Sequence, residues 1–300
     1  DYTITSSTST SALLDNGLIV SFSADGTRLA VSSIIGSIQH VGIYTYLNST
    51  WSLLNNGNYI TIPDTEGGFA SPLVSLSLNS DGSILAVGNS YANGAAGRIG
   101  KVHIYKYNTS TTSWEWNEDI TTDVNTTPIA NLTTGFQQFG VSVSLNSNGL
   151  MLAVGSKYYH SEGSGYPTAF PNGVVHIYTK TNSTALFASN GAIASIAGQA
   201  LANITPKPRF GERVLLNATG DIIVISTPYT YSITDSNYPG DVKIYAFSSS
   251  VWTLQRTIDG TQANERFGYS ISLNSAGNIL AIGAPYYNNN GLTNIGRVQV

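Results

Sequence analysis

Residues 267–285 read Phe267-Gly268-Tyr269-Ser270-Ile271-Ser272-Leu273-Asn274-Ser275-Ala276-Gly277-Asn278-Ile279-Leu280-Ala281-Ile282-Gly283-Ala284-Pro285. From Tyr269 to Leu273 polar and apolar residues alternate, the period of two that sends successive side chains to opposite faces of a strand. A short polar turn follows, and then a continuously apolar run, Ile279 to Ile282, suited to a strand covered on both faces. Two such runs around a tight Asn/Gly turn read as a hairpin.

The phrase recurs along the chain. Turn glycines Gly26, Gly82, Gly149, Gly220 and Gly277 each follow a strand-like run. These runs are Val20-Ser21-Phe22-Ser23, Val74-Ser75-Leu76-Ser77-Leu78, Val141-Ser142-Val143-Ser144-Leu145, Arg213-Val214-Leu215-Leu216 and Tyr269 to Leu273. After each glycine comes an apolar strand, such as Ile84-Leu85-Ala86-Val87 or Ile222-Ile223-Val224-Ile225. A third strand follows at Val41-Gly42-Ile43-Tyr44, Val102-His103-Ile104-Tyr105, Val175-His176-Ile177-Tyr178, Val242-Lys243-Ile244-Tyr245 and Val298-Gln299-Val300. The fourth element carries Trp51, Trp114 with Trp116, or Trp252, and Leu186-Phe187 in the third unit.

Each unit therefore holds about four strands in roughly 55 to 70 residues, and no helical period competes. Four-stranded units in tandem predict an all-β chain folded as a β-propeller. We expect a single propeller domain over residues 1–300, with units at roughly 9–62, 63–130, 131–205, 206–260 and 261–300 plus 1–8. Tyr2-Thr3-Ile4-Thr5 resembles Tyr59-Ile60-Thr61-Ile62, the end of unit one. The N-terminal strand would then close a five-bladed ring, or the chain is part of a longer, seven-bladed propeller. Its stop inside a third strand and its start at Asp1 favour the second.

Composition narrows the chemistry. Charged residues make up 10% of the chain and the net charge is −4, with 13 Lys and Arg scattered through it. No basic patch is present of the kind a nucleic acid partner requires. Cysteine is absent, which removes disulfides, thiolate metal sites and cysteine nucleophiles. No apolar run approaches the roughly 20 residues of a membrane span, so no membrane insertion is expected.

Phe139-Gly140, Phe210-Gly211 and Phe267-Gly268 each precede their turn glycine by the same spacing, and Gly283-Ala284-Pro285 ends the fifth hairpin. This pattern resembles the FG-GAP repeat, the blade motif of integrin α-subunit propellers and of many bacterial and viral surface proteins. Unit one keeps only Asn16-Gly17 at the Phe-Gly position, and unit two has Phe69-Ala70 displaced. The resemblance implies a recognition or adhesion module on an extracellular, cell or virion surface. It also implies calcium in blades whose first turn reads D-x-D-x-D-G. Here those turns are short and supply only Asp25, Asp81 and the nearby Asp221. Calcium takes six to eight oxygens, so neither a metal nor a cofactor is expected. Asn288-Asn289-Asn290-Gly291 has the outline of such a loop without carboxylates and reads as a polar turn.

Candidate functional residues are few. The Phe-Gly pairs read as blade packing, with glycine allowing close approach or positive φ. His103 and His176 share their position with Gly42, Lys243 and Gln299, which suits neither a ligand nor a base. Of the acidic residues, Glu66, Glu212 and Glu265 lie near strand starts, and surface solvation accounts for them. No paired-carboxylate or nucleophile motif stands out, so catalysis is not expected. Seven N-x-S/T sequons, at Asn48, Asn108, Asn125, Asn131, Asn182, Asn203 and Asn217, match chance expectation for this composition.

One pattern rises above composition. Tyr91, Tyr158, Tyr229 and Tyr286 each stand three residues past the end of a second strand, with Tyr159, Tyr231 and Tyr287 beside them. These loops share one propeller face, and tyrosine gives wide amphipathic contact at low entropic cost. The competing reading is that the repeated tyrosine packs a blade, which leaves the second tyrosines as the exposed ones. On this reading the chain is a non-enzymatic module binding a protein or glycan through that face. A structural scaffold or coat component is the alternative, and a carbohydrate-active enzyme a third.

Overall fold

The computed structural model of the chain describes residues 19–35, 38–54, 57–63, 74–94, 97–98, 100–121, 138–157, 173–189, 196–197, 209–229 and 239–300. Among these every regular element is a strand. They form five antiparallel sheets, the blades of a five-bladed β-propeller. Blade one is Val20–Phe22, Arg28–Ile35, Ile38–Leu47 and Thr50–Leu53, with Ile60–Thr61 also on the third strand. Blade two is Val74–Leu78, Ile84–Asn89, Lys101–Asn108 and Ser113–Ile120. Blade three is Phe139–Leu145, Met151–Ser156 and Val174–Thr179, with Ala188–Ser189 and Ile196–Ala197 as short partners of its third strand. Blade four is Arg213–Leu216, Ile222–Thr227, Asp241–Ser248 and Val251–Asp259. Blade five shows three strands, Ser270–Leu273, Leu280–Ala284 and Arg297–Gln299. A further two-stranded ribbon joins Asn93–Gly94 to Gly97–Arg98. Tyr2-Thr3-Ile4-Thr5, expected to complete the ring, lies outside the described residues.

The hairpin turns are built by one residue. Asn79, Asn146, Asn217 and Asn274 each accept, at Oδ1, the N–H five residues on, from Ile84, Met151, Ile222 and Ile279 at 2.8–3.0 Å. Ser23 does the same for Arg28 in blade one at 2.9 Å. A side-chain acceptor here replaces the backbone partner that the tight turn withholds. Asp25, Asp81 and Asp221 belong to these turns. Hydrogen bonds from Ser23 and Thr27 hold the Asp25 carboxyl below the ordinary aspartate range. The sequon residue Asn217 is such a turn asparagine and is buried, so its amide has no room for a glycan.

Alternating serines normally mark a solvent face. Here they face the next blade. Ser21, Ser77 and Ser144 each accept at Oγ the N–H of Leu78, Leu145 and Leu216 in the following blade, all at 2.9 Å. Ser75 and Ser142 donate to the carbonyls of Gly140 and Gly211 at 2.9 and 2.8 Å. A backbone relay runs beside them from Ala24 to Ser80, Ser147, Ala218 and Ser275, each N–H reaching the next carbonyl at 2.9–3.0 Å. Buried polar groups must be paired; the serines pair them across the first three described boundaries, and between blades four and five the backbone relay does so without them. Blade four has Arg213 and Leu215 in place of the serines.

Apolar clusters fill the same boundaries. Phe139 packs with Ala86, Val102 and Ile104 of blade two, Phe210 with Val175 of blade three, and Phe267 with Val242 of blade four. All three phenylalanines are at most 2% exposed. The preceding-blade glycines Gly100, Gly173 and Gly240 have φ of +80 to +87°, and a Cβ there would strike the carbonyl of the incoming phenylalanine. The Phe-Gly pairs are thus blade packing, as the sequence reading has it.

Candidate functional site: an arginine–tyrosine cleft between blades four and five

Three elements converge at the loop end of blades four and five. Tyr229 follows the second strand of blade four, Tyr286 follows that of blade five, and Arg266 precedes Phe267 in the segment linking the two blades. Arg266 takes φ +55°, a conformation uncommon outside glycine, asparagine and aspartate. Its guanidinium lies 4.4 Å from the Tyr286 ring centre and 5.0 Å from that of Tyr229. Arg209, at the same position ahead of Phe210, covers Tyr229 at 4.1 Å. The order is therefore Arg209, Tyr229, Arg266, Tyr286. Each cation–π contact contributes about 0.5–2 kcal/mol, more where water is excluded.

Tyr229, Arg266 and Tyr286 line a cleft of about 430 Å³ together with Ala263, Asn264, Asn288 and Asn294. Its walls are fixed by hydrogen bonds. Gln262 donates to the Asn288 carbonyl at 2.8 Å and accepts the Asn288 N–H at 2.9 Å. Asn288 accepts the Asn294 N–H at 2.7 Å. Beyond it the chain reverses at Asn290 and Gly291, both with positive φ, between reciprocal Asn289 and Leu292 bonds. The Asn288-Asn289-Asn290-Gly291 run is thus a turn, as expected. Among the described residues no group of three His, Asp or Glu gathers around a common metal position.

Beneath the cleft lies a carboxylate that the sequence reading places at the surface. Glu265 is fully buried. It accepts the N–H groups of Thr261 and Gln262 and sits 3.3 Å from Arg297. Glu212 is also largely buried, accepting from Lys157 at 3.1 Å with Arg209 and Arg213 each 3.9 Å away. Solvation does not explain either. Both are counterions that hold arginines and lysines in place beside the loop face, where a buried charge needs a partner. Glu66 lies outside the described residues.

The tyrosine prediction divides. Tyr229 and Tyr286 come together in the cleft. Tyr287 does not line it: it is half-buried against the blade-five core, under the Arg297 guanidinium at 4.4 Å. The expected order of exposure is reversed, since Tyr286 of the strict repeat is 39% exposed. Both lie past the strand end at Ala284, in the turn where the Tyr287 N–H reaches the Ala284 carbonyl, and the turn rather than the pleat brings Tyr287 back onto the core. Tyr91 is half-buried in blade two, its N–H on Asn89 Oδ1 at 3.3 Å, away from the cleft. Tyr158, Tyr159 and Tyr231 lie outside the described residues. Sequence reasoning missed Arg209 and Arg266. Their signal was present as the repeated Arg-Phe-Gly of residues 209–211 and 266–268.

No protein-family model and no curated protein matches the chain. Solved structures do. The periplasmic gluconolactonase PpgL of Pseudomonas aeruginosa is similar over 88% of this chain and 64% of its own, with 15% identity and a TM-score of 0.51. A protein from Lactobacillus plantarum is similar over 88% and 63%, with 10% identity and a TM-score of 0.50. Hydrazine synthase of Kuenenia stuttgartiensis aligns over 94% and 60%, with 11% identity and a TM-score of 0.49. The chain spans less than two thirds of the length of each. At these identities the likeness reaches the propeller fold alone, and membership of the FG-GAP family is not supported. The expectation of a non-enzymatic adhesion module is corrected here. This architecture is shared with a protein named as an enzyme, and nothing in the comparisons points to adhesion. Neither adhesion nor a coat role is carried forward.

Proposed function

We propose that the cleft between blades four and five binds a small organic anion, a carboxylate or phosphate ester with a planar group. The observation that carries this is Arg266. Its guanidinium is half-exposed at the cleft, held between two tyrosine rings, with no carboxylate within ion-pair distance among the described residues. Stacking fixes the plane of the guanidinium and leaves its N–H fork free for a two-point contact with an anion. The cleft's ends carry amide side chains, Asn264, Asn288 and Asn294, which donate and accept without charge. A cation entering the cleft meets Arg266 already stacked on both tyrosine rings. The surroundings favour the same sign: Lys157, Arg209, Arg213, Arg266 and Arg297 stand against only Glu212 and Glu265 in this network, on a chain of net charge −4.

The test is titration of the chain with phenyl phosphate and benzoate, and with benzylamine as the cationic counterpart, followed by tyrosine fluorescence. Saturable binding of the anions and none of the amine is expected. Arg266→Ala should weaken anion binding by about tenfold or more, the loss of one charge-assisted contact. Arg266→Lys should recover part of it. Equal affinity in wild type and Arg266→Ala would remove the proposal.

A further inference from the structure

The cations around the Arg266 cleft are unevenly neutralised. On the blade-five side Glu265 stands 3.3 Å from Arg297, one carboxylate to one guanidinium. Towards blade three a single carboxylate, Glu212, serves three cations, with Lys157 at 3.1 Å and Arg209 and Arg213 each at 3.9 Å. Lys157 donates to Glu212 Oε1, and Arg213 donates to the Glu212 backbone carbonyl at 2.8 Å. Glu212 Oε2, the oxygen 3.9 Å from Arg209, is buried and accepts no hydrogen bond. At that distance the pair attracts without a directed bond. Among the described residues the surplus positive charge of the network therefore gathers around Arg209.

Arg209 and Arg266 also share a ring. Each precedes a Phe-Gly pair at the same point of the repeat, and their guanidiniums lie 4.1 and 5.0 Å from the Tyr229 ring centre. The two charges are thus no more than about 9 Å apart, inside the roughly 10 Å screening length of 0.1 M salt. Like charges this close repel, and the ring between them offsets only part of that. Both side chains reach solvent: Arg209 is 26% exposed at its side chain, and Arg266 is half-exposed. The polar walls of the cleft, Asn264, Asn288 and Asn294, supply no negative charge to offset them.

We propose that the cleft takes a planar organic dianion, such as an aromatic dicarboxylate, with one carboxylate on Arg266 and the other reaching past Tyr229 to Arg209. The second contact rests on the Arg266 reading proposed above and extends the ligand towards the Lys157–Glu212 pair. One carboxylate matches one guanidinium fork, so two forks on a common ring call for two anionic groups held apart by a rigid spacer. Within one ligand the second contact is intramolecular, and it adds affinity without a second cost of association. Arg213, with 44% of its side chain exposed, strengthens the attraction from beside Glu212.

The experiment is isothermal titration calorimetry of the chain with terephthalate and with terephthalate monoamide, a probe of the same size carrying one charge. Terephthalate should bind about tenfold or more tighter than the monoamide. Arg209→Gln places at this position the residue that Gln138 already supplies ahead of Phe139. It should bring the two affinities to within about twofold, the statistical advantage of two equivalent carboxylates, chiefly by weakening terephthalate. Arg209→Lys keeps the charge and should keep part of the preference, whereas Arg266→Ala should weaken both probes. Monoamide binding that depends on Arg266, with no preference for terephthalate, leaves the anion cleft standing and overturns the second charge. A preference that survives Arg209→Gln overturns it too, because the second carboxylate then rests elsewhere. Failure of either probe to bind overturns both readings together.

Discussion

Blades three and five are written in almost the same words and stand in different surroundings. Phe139-Gly140-Val141-Ser142-Val143-Ser144-Leu145 and Phe267-Gly268-Tyr269-Ser270-Ile271-Ser272-Leu273 differ by two residues. Yet Phe139–Leu145 is buried at every position, and Ser270–Leu273 alternates exposed and half-buried. A blade is a sheet with two faces to cover, and its neighbours supply both covers. Blade three is covered on both. Among the described residues blade five is covered by blade four alone. The same glycine or serine is thus a structural necessity in one blade and a free surface in the other.

Substitutions at matched positions sharpen this contrast. The largest difference is expected at the second-strand glycines. Gly155→Val places a side chain against the Gly211 backbone carbonyl, which cannot move without parting the blades. It should cost more than about 4 kcal/mol, enough to leave the chain largely unfolded. At Gly283→Val the one close neighbour is the Ser270 hydroxyl, which can rotate, with the Ser270 Cβ and carbonyl at ordinary contact distance, so the change should cost less than about 1 kcal/mol. Urea denaturation of both variants checks this. Equal losses would mean that blade five is covered in solution.

A smaller difference appears with pH. Burial in blade three pushes His176 down to about 4, while blade five has the non-titrating Gln299 at that position. The sign follows from linkage. Between about 4 and 6.5 the folded imidazole is neutral while the unfolded one takes up a proton. Stability from this group is complete above about 6.5 and declines as the pH falls towards 4, by about 3 kcal/mol in all. His176→Gln should flatten the slope of unfolding free energy against pH in that window, whatever it does to stability at pH 8. An unchanged slope would show that the ring is not buried neutral.

The smallest difference concerns the bridging serines. Ser144→Ala leaves the buried Leu216 N–H without its acceptor and should cost about 1–3 kcal/mol. Ser272→Ala, on the exposed face, should stay within about 0.5 kcal/mol.

The propeller was legible from a few residues. Period-two runs, the asparagine–glycine turns and five repetitions of one phrase led directly to strands, hairpins and blades. The candidate site was legible in part. Tyr229 and Tyr286 stood out by repetition, whereas the arginines between them did not, because nothing local marks Arg266 as facing Tyr229 from the neighbouring blade. Glu265 was misread for a related reason. A carboxylate in a loop looks solvated until the arginine that neutralises it, 32 residues away, is brought beside it.

What the sequence determined by itself is the unit. Alternation, turn chemistry and glycine position act over a few residues, so a blade is specified wherever its words appear. The tertiary structure alone decided what each unit touches. Whether a serine bridges to a neighbour or meets water, and whether a glycine is a requirement or an empty slot, depends on the next blade. That is a contact at a separation of about one repeat, to which local propensity is blind. It is why Phe267 to Leu273 closes one boundary with blade four and, on its other face, meets no other described blade.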